Sequence, residues 1–213
     1  MLHRIKADRF LTKDERERIK EATRDAESRT SGEIALVVAG SSDHYFEAEV
    51  IGGMLFGSIL SLILTVLLFH SSVWSYIPLS FLLFFPARFV FKKIPALKTV
   101  FIGAKRKNHA VRHRAVQVFH EKGFYRTKKQ TGVLFFISLL ERKVWVLADK
   151  GVHEKIKQDA LDRLADNISN GIRDGHACDA ICKAVKETGE LLSQHLPMSP
   201  GDMNELPDGI STE

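Results

Sequence analysis

Residues 50–91, VIGGMLFGSILSLILTVLLFHSSVWSYIPLSFLLFFPARFVF, decide how the rest of this chain is read. Residues 50–69 are 20 residues without a charge. At ~1.5 Å of rise per residue, a helix of that length crosses the ~30 Å hydrocarbon core of a bilayer. After His70, Ser71 and Ser72, residues 73–91 form a second apolar run that contains Pro78, Pro86 and Arg88. An Arg costs roughly 2.5–3.5 kcal/mol at a helix centre, while each Leu, Ile, Phe or Val there contributes about −0.3 to −0.6, so about ten such residues offset it. Arg88 also stands near the end of its run, where its stem carries the guanidinium to the interface. The stretch reads as a two-helix transmembrane hairpin, with spans at 50–69 and 73–91.

Working outward, both ends of a hairpin return to the same membrane face, so residues 1–49 and 92–196 are expected to fold as one discontinuous domain. Residues 197–213 contain three prolines, two glycines and little apolar content, and are expected to be a disordered tail. The first 30 residues lack the apolar core and cleavage site of a secretory signal, which leaves targeting to the hairpin. Its connection carries no Lys or Arg, whereas Lys92, Lys93, Lys98, Lys105, Arg106 and Lys107 follow the second span. The positive-inside rule then places both termini in the cytoplasm, and we expect an integral protein of the bacterial inner membrane.

Charge is concentrated in one place. Residues 92–130 hold twelve Lys or Arg against one Glu, while the segments before the hairpin and after Gln130 are each net acidic. A basic run beside an anionic bilayer gains ~1 kcal/mol per residue, so the six residues named above are candidate lipid-surface contacts and the bilayer is the first expected partner. Nucleic acid is not an expected partner, because aromatic residues are not interleaved with the basic ones for base stacking.

Within the first span Gly53, Gly57, Ser61 and Thr65 recur every four residues, a small-residue face that lets another helix approach closely. That helix is either the second span or a different chain, in a homo-oligomer or with another membrane protein.

The soluble blocks have legible elements. Thr12 to Glu15 fits a helix-start capping box, and a helix should run to about Arg29. Residues 33–39 read as a short buried strand. Residues 98–122 have helical spacing of Val111, Ala115, Val118 and Phe119, with Gly123 as the stop. Residues 133–139 and 143–148 read as an antiparallel hairpin. Two helices follow, at 158–172 and 177–195, separated by Asp174-Gly175. Cys178 and Cys182 share the last helix at a spacing that does not hold two sulfurs in bonding geometry, and read as packed thiols.

Few side chains form a chemical pattern. His109, His113 and His120 project within about 40° of one another on a helix, but Lys107, Arg112 and Arg114 surround them with positive charge that opposes a cation. No metal and no cofactor is expected. Asp149, followed by His153 and Glu154, gathers acid and imidazole at a strand end, where α/β folds place ligands. With Glu33 these are the candidate catalytic residues, although Asp149 fits equally well as the cap of the next helix.

Thr30-Ser31-Gly32-Glu33-Ile34, Ala115 to Phe119, Gly123, Thr127, Gly132-Val133-Leu134, Ala148-Asp149-Lys150-Gly151-Val152 and the segment from Cys178 to Pro197 together resemble a TPM domain. The resemblance implies an α/β (α+β) fold with a small mixed sheet flanked by helices, here interrupted by the transmembrane hairpin. Its functions are diverse, and include an acid phosphatase of the chloroplast lumen and a receptor accessory protein. Calcium-binding members carry an acidic pair just before the Gly-Val-Leu strand, where this chain has Gln130 and Thr131, so the resemblance carries no calcium site over. The leading reading is a non-enzymatic interaction or scaffold module at the cytoplasmic membrane surface, bound to an unidentified membrane or cytoplasmic protein. The alternative is a phosphatase-like hydrolase with an acidic site around Asp149.

Overall fold

Local chemistry sets the first helix. In the computed structural model, which describes residues 7–68, 73–127, 129–198 and 209–212, helix α1 spans Lys13–Glu27. The Thr12 hydroxyl accepts from the Glu15 N–H, and the Glu15 carboxylate accepts from the Thr12 N–H at 2.8 Å. The backbone and hydroxyl donors of Thr12 hold the Glu15 carboxyl below its ordinary range. Strand β1 follows at Glu33–Ala39.

Next come two long apolar helices, α2 at Phe46–Leu68 and α3 at Val73–Lys93. Each is long and apolar enough to cross a membrane. The first begins earlier than the apolar run itself, because the Tyr45 carbonyl accepts from the N–H groups of Ala48 and Glu49 and opens the helix there. Glu47 and Glu49 then sit in its first turn, where the helix dipole favours acids. The connection at His70, Ser71 and Ser72 lies outside the described residues.

The single helix expected over 98–122 is instead two, α4 at Pro95–Phe101 and α5 at Ala104–Glu121. Ile102 is extended (φ −102°, ψ 113°) and buried, and Gly103 beside it is a weak helix former. Burying Ile102 in that conformation overrides the local helical pattern. Gly123 ends the segment with φ 75°, as a left-handed C-terminal glycine does.

Strands β2 (Gly132–Ser138) and β3 (Lys143–Ala148) form the expected antiparallel hairpin. A four-residue helix, α6 (Lys150–His153), leads to α7 (Gln158–Arg173) and α8 (Ala177–His195). Of the tail expected to be disordered, residues 199–208 and 213 lie outside the described residues. Ser211–Thr212 are described and form a short strand, β4, parallel to β1 at Val37 and Val38.

The sheet order is β3-β2-β1-β4, with β1 parallel to β2 and β2 antiparallel to β3. This is a mixed sheet with helices on both faces. Ile34, Leu36 and Val38 of β1 pack with Phe135 and Ile137 of β2 against α1, α7 and α8, through Ile19, Ile168, Ile181 and Leu192. Ala35, Val37, Leu134 and Phe136 pack on the other face against Val111, Ala115 and Val118 of α5. All seven residues of both β1 and β2 are therefore buried, which explains their unbroken apolar runs. Strand β3 alternates between buried and half-buried positions.

The chain divides into two compact units, one of residues 1–42 and 109–213, the other of residues 43–108. The sheet and its core belong to the first. The second holds α2, α3, α4 and the start of α5, and so reaches beyond the apolar stretch at both ends.

Helices α1 and α8 cross closely at Gly189, where an added Cβ would lie 2.6 Å from the Ala26 Cβ and 3.0 Å from its Cα. Gly189→Val should cost about 1–3 kcal/mol of stability. Denaturant unfolding would measure it, with the exposed Lys186→Ala in the same helix staying within about 0.5 kcal/mol of the parent.

Candidate functional site

Three places concentrate polar chemistry, one at each end of the sheet and one in the unit of residues 43–108.

At the sheet end, register puts Glu33 and Asp149 on either side of Gly132. Glu33 pairs with Gly132, and the Asp149 N–H donates to the Gly132 carbonyl at 2.8 Å. With strands ~4.8 Å apart, the two acids are separated by about two strand spacings. Folding thus brings Glu33 and Asp149 to one end of the sheet. What each does there differs. Asp149 is the N-cap of α6, its Oδ1 accepting from the Lys150 N–H at 2.7 Å, while its Oδ2 is buried without a hydrogen-bond partner. Glu33 is buried at the start of β1. His153 and Glu154 are exposed, so the structure leaves them on the surface instead of turning them into a site with Asp149.

The surrounding loop is closed by backbone. Gly151 packs so tightly that a Cβ would lie 2.7 Å from the Lys129 carbonyl oxygen and 2.8 Å from that of Gln130. Thr131, at the position of the acidic pair of calcium-binding relatives, donates its hydroxyl to the Ser31 carbonyl at 2.7 Å, and its N–H donates to Thr127 Oγ1 at 3.0 Å. Those bonds tie the entries of β1 and β2 together. Among the described residues no group of three or more His, Cys, Asp or Glu side chains is arranged to hold a metal. His109 and His113 stack at 6.2 Å on the exposed face of α5.

A second polar group at the opposite end of the strands was not legible in the sequence. The Ser42 hydroxyl donates to Ser138 Oγ at 2.7 Å, Ser138 Oγ donates to Glu141, and the Ser42 N–H donates to the same carboxylate at 3.0 Å. Its members stand almost one hundred residues apart, and only the parallel register of β1 and β2 joins them.

In the unit of residues 43–108, the small-residue face packs on the second helix of the same hairpin. A Cβ at Gly53 would meet the Arg88 Cα at 3.0 Å, one at Gly57 the Phe84 Cα at 3.1 Å, and the Ser61 hydroxyl donates to the Tyr76 carbonyl at 3.2 Å. Thr65 is buried along the same line. The outward faces carry Phe56, Leu62, Val66, Phe81 and Phe85, all exposed.

The ends of α2 and α3 are tied by charges. Lys98 does not face a lipid surface as expected: its ammonium is buried 2.6 Å from Glu49 Oε1 and also donates to the His44 carbonyl at 3.2 Å. Both side chains are less than a tenth exposed. Arg106 holds Asp43 at 2.6 Å and Glu47 at 3.0 Å and lies over the Tyr45 ring. Arg88 stacks over Phe46, 4.7 Å from the ring centroid. Lys107 donates to the Thr99 carbonyl at 2.9 Å, and Lys92, Lys93 and Lys105 are exposed and pair with no acid among the described residues. The acids that claim Lys98 and Arg106 are in the sequence, but 49 and 63 residues away from them.

The TPM domain model matches residues 99–191. Over that stretch, which is less than half of the chain, the sequence is similar to a TPM domain. The match begins in α4 and ends in α8, so it covers β2, β3 and Asp149 but not Thr30 to Ile34. Among solved structures, the NMR structure of the BA42 protein from the psychrophilic Bizionia argentinensis superposes with a TM-score of 0.59 at 22% identity, covering 96% of this chain and 96% of that one. At this identity the likeness is one of fold. No curated protein sequence matches the chain. Within the matched stretch, Thr131 bonds inward and Gln130 has φ 54°.

Two predictions follow from the charges. Removing one member of the Glu49–Lys98 pair leaves a buried unpaired charge, so Lys98→Met should cost about 3–5 kcal/mol and Glu49→Leu with Lys98→Met should recover most of it. Unfolding titrations in micelles would measure both. Burial of Asp43 pushes its carboxyl up, but the hydrogen bond from Arg106, the His44 N–H and the Arg106 charge together outweigh this and hold it below the ordinary range. A depressed folded-state pKa contributes stability that is complete above the unfolded value near pH ~4 and is lost as pH falls through the folded one. Acid titration followed by circular dichroism should show that loss below pH ~4, and Asp43→Asn should remove this component.

Proposed function

We propose that this chain is a membrane-anchored TPM-domain protein whose domain acts as a non-enzymatic interaction module at the cytoplasmic surface of the bacterial inner membrane. The observation that carries the reading is the apolar hairpin. Its two helices satisfy each other through the small-residue face and still expose a continuous set of Phe, Leu, Ile and Val side chains. A core helix of a soluble protein buries such residues, whereas only 28% and 6% of the apolar windows of these two helices are buried. Lipid is the solvent that suits them.

Orientation follows from charge. The connection between the helices has no Lys or Arg, and the exposed Lys92, Lys93 and Lys105 lie at the other end. Anionic head groups on the cytoplasmic side attract them. The scaffold part of the reading rests on the sheet end: Asp149 caps a helix, His153 and Glu154 face solvent, and Thr131 is engaged in the fold.

Phosphatase chemistry is the second reading, favoured by one observation, the buried and unpartnered Oδ2 of Asp149. A carboxylate nucleophile or acid/base needs such an oxygen free for substrate. Release of phosphate from p-nitrophenyl phosphate by the purified chain, abolished in Asp149→Asn, would replace the scaffold reading with this one.

Anchoring and topology are tested together. The protein should stay in the membrane pellet after alkaline carbonate extraction. Ser71→Cys should be labelled in intact cells by a membrane-impermeant maleimide. Native thiols give little background, because Cys178 is buried and burial, with Cys178 beside it, pushes the Cys182 thiol up to about 11. Release by carbonate, or labelling of Ser71→Cys only after lysis, would overturn the anchoring or the orientation respectively.

A further inference from the structure

We infer that a cavity beside the β2–β3 turn, in the sheet-bearing unit, is a binding site for an amphipathic anion: a short hydrocarbon chain ending in a carboxylate or a phosphate. The cavity measures about 610 Å³, within the ~300–1,000 Å³ of small-molecule sites. Its walls are apolar, formed by Phe10, Ile137, Leu139, Val144 and Ile172. Ile137 and Val144 are opposite each other in the antiparallel ladder and turn to the same face of the sheet. Hydrocarbon placed between them leaves water at no cost in unmet hydrogen bonds.

The rim has the opposite character. Arg142, Lys143 and Arg173 all line the cavity, and among the described residues no carboxylate does. Arg173 is in the last turn of α7, where a cation suits the helix dipole. Arg142 has no such reason. It sits at φ 53°, a left-handed position that glycine or asparagine takes more easily, with its side chain exposed at the rim. The ion pairs and side-chain hydrogen bonds of the described residues include none from these three cations.

The acid next to Arg142 in the turn is accounted for. Glu141 precedes Arg142 in the turn, but its carboxylate is buried and takes the Ser138 hydroxyl and the Ser42 N–H. It therefore leaves the rim to the cations. Ser169 lines the same cavity and adds a hydroxyl group beside the charges. A bare inorganic anion would meet the cations but not the apolar walls, and a neutral alkane the reverse. An amphipathic anion meets both.

Isothermal titration of the full chain in phosphatidylcholine nanodiscs would test this, with octanoate and octyl phosphate as ligands, octanol as the neutral chain, and acetate and inorganic phosphate as chainless anions. Octanoate, octyl phosphate or both should bind saturably, at least about tenfold tighter than octanol, acetate or inorganic phosphate. Which of the two prevails identifies the head group. Arg142→Gln with Arg173→Gln, both at exposed positions, should weaken that binding about tenfold or more without changing the melting temperature. Ser169→Phe, which fills the cavity from α7, should abolish it. Heat no greater than that of empty nanodiscs, equal affinity for octanol, or unchanged binding in the folded double variant would each overturn the assignment.

Discussion

The parallel pairing of β1 with β2 is the constraint on which the rest depends. Two parallel neighbours cannot be joined by a tight turn, so the chain must leave the end of one and return to the start of the other. Here that return consists of α2, α3, α4 and α5. The apolar hairpin is thus neither an N-terminal anchor nor a C-terminal one. It occupies the crossover of the sheet, and any ladder between residues 33–39 and 132–138 requires the hairpin to leave and re-enter the domain at fixed points.

Within residues 43–108 a second constraint operates. Two apolar helices with small residues between them could slide or rotate against each other. The Glu49–Lys98 pair is buried and short, and joins the first turn of α2 to the helix after α3. Arg106 clamps Asp43 and Glu47 just outside it. Buried ion pairs contribute little net stability but penalise any arrangement that separates them. The buried pair sets register here, and the two pairings engage Lys98 and Arg106 with acids of the same unit.

The sheet ends are used differently. The end holding Glu33, Thr131 and Asp149 is closed by loop backbone and by hydroxyl bonds, which favours a structural role for residues whose types alone suggest chemistry. The other end, by Ser138 and Arg142, opens into a cavity with apolar walls and a cationic rim.

The sequence by itself determined the elements. Capping at Thr12, the strand at 33–39, the hairpin strands, the last two helices and the lengths of the apolar spans follow from spacing, propensity and hydropathy, which act over a few residues. Local rules failed at Ile102, where burial imposed an extended residue between two helices. They were silent where partners are distant: Lys98 with Glu49, Thr131 with Ser31, Ser42 with Ser138, and Ser211–Thr212 beside β1. Those contacts, and with them which charges face outward and which acids are engaged, were decided by tertiary structure, because a side chain's role depends on what folding brings within about 3 Å of it.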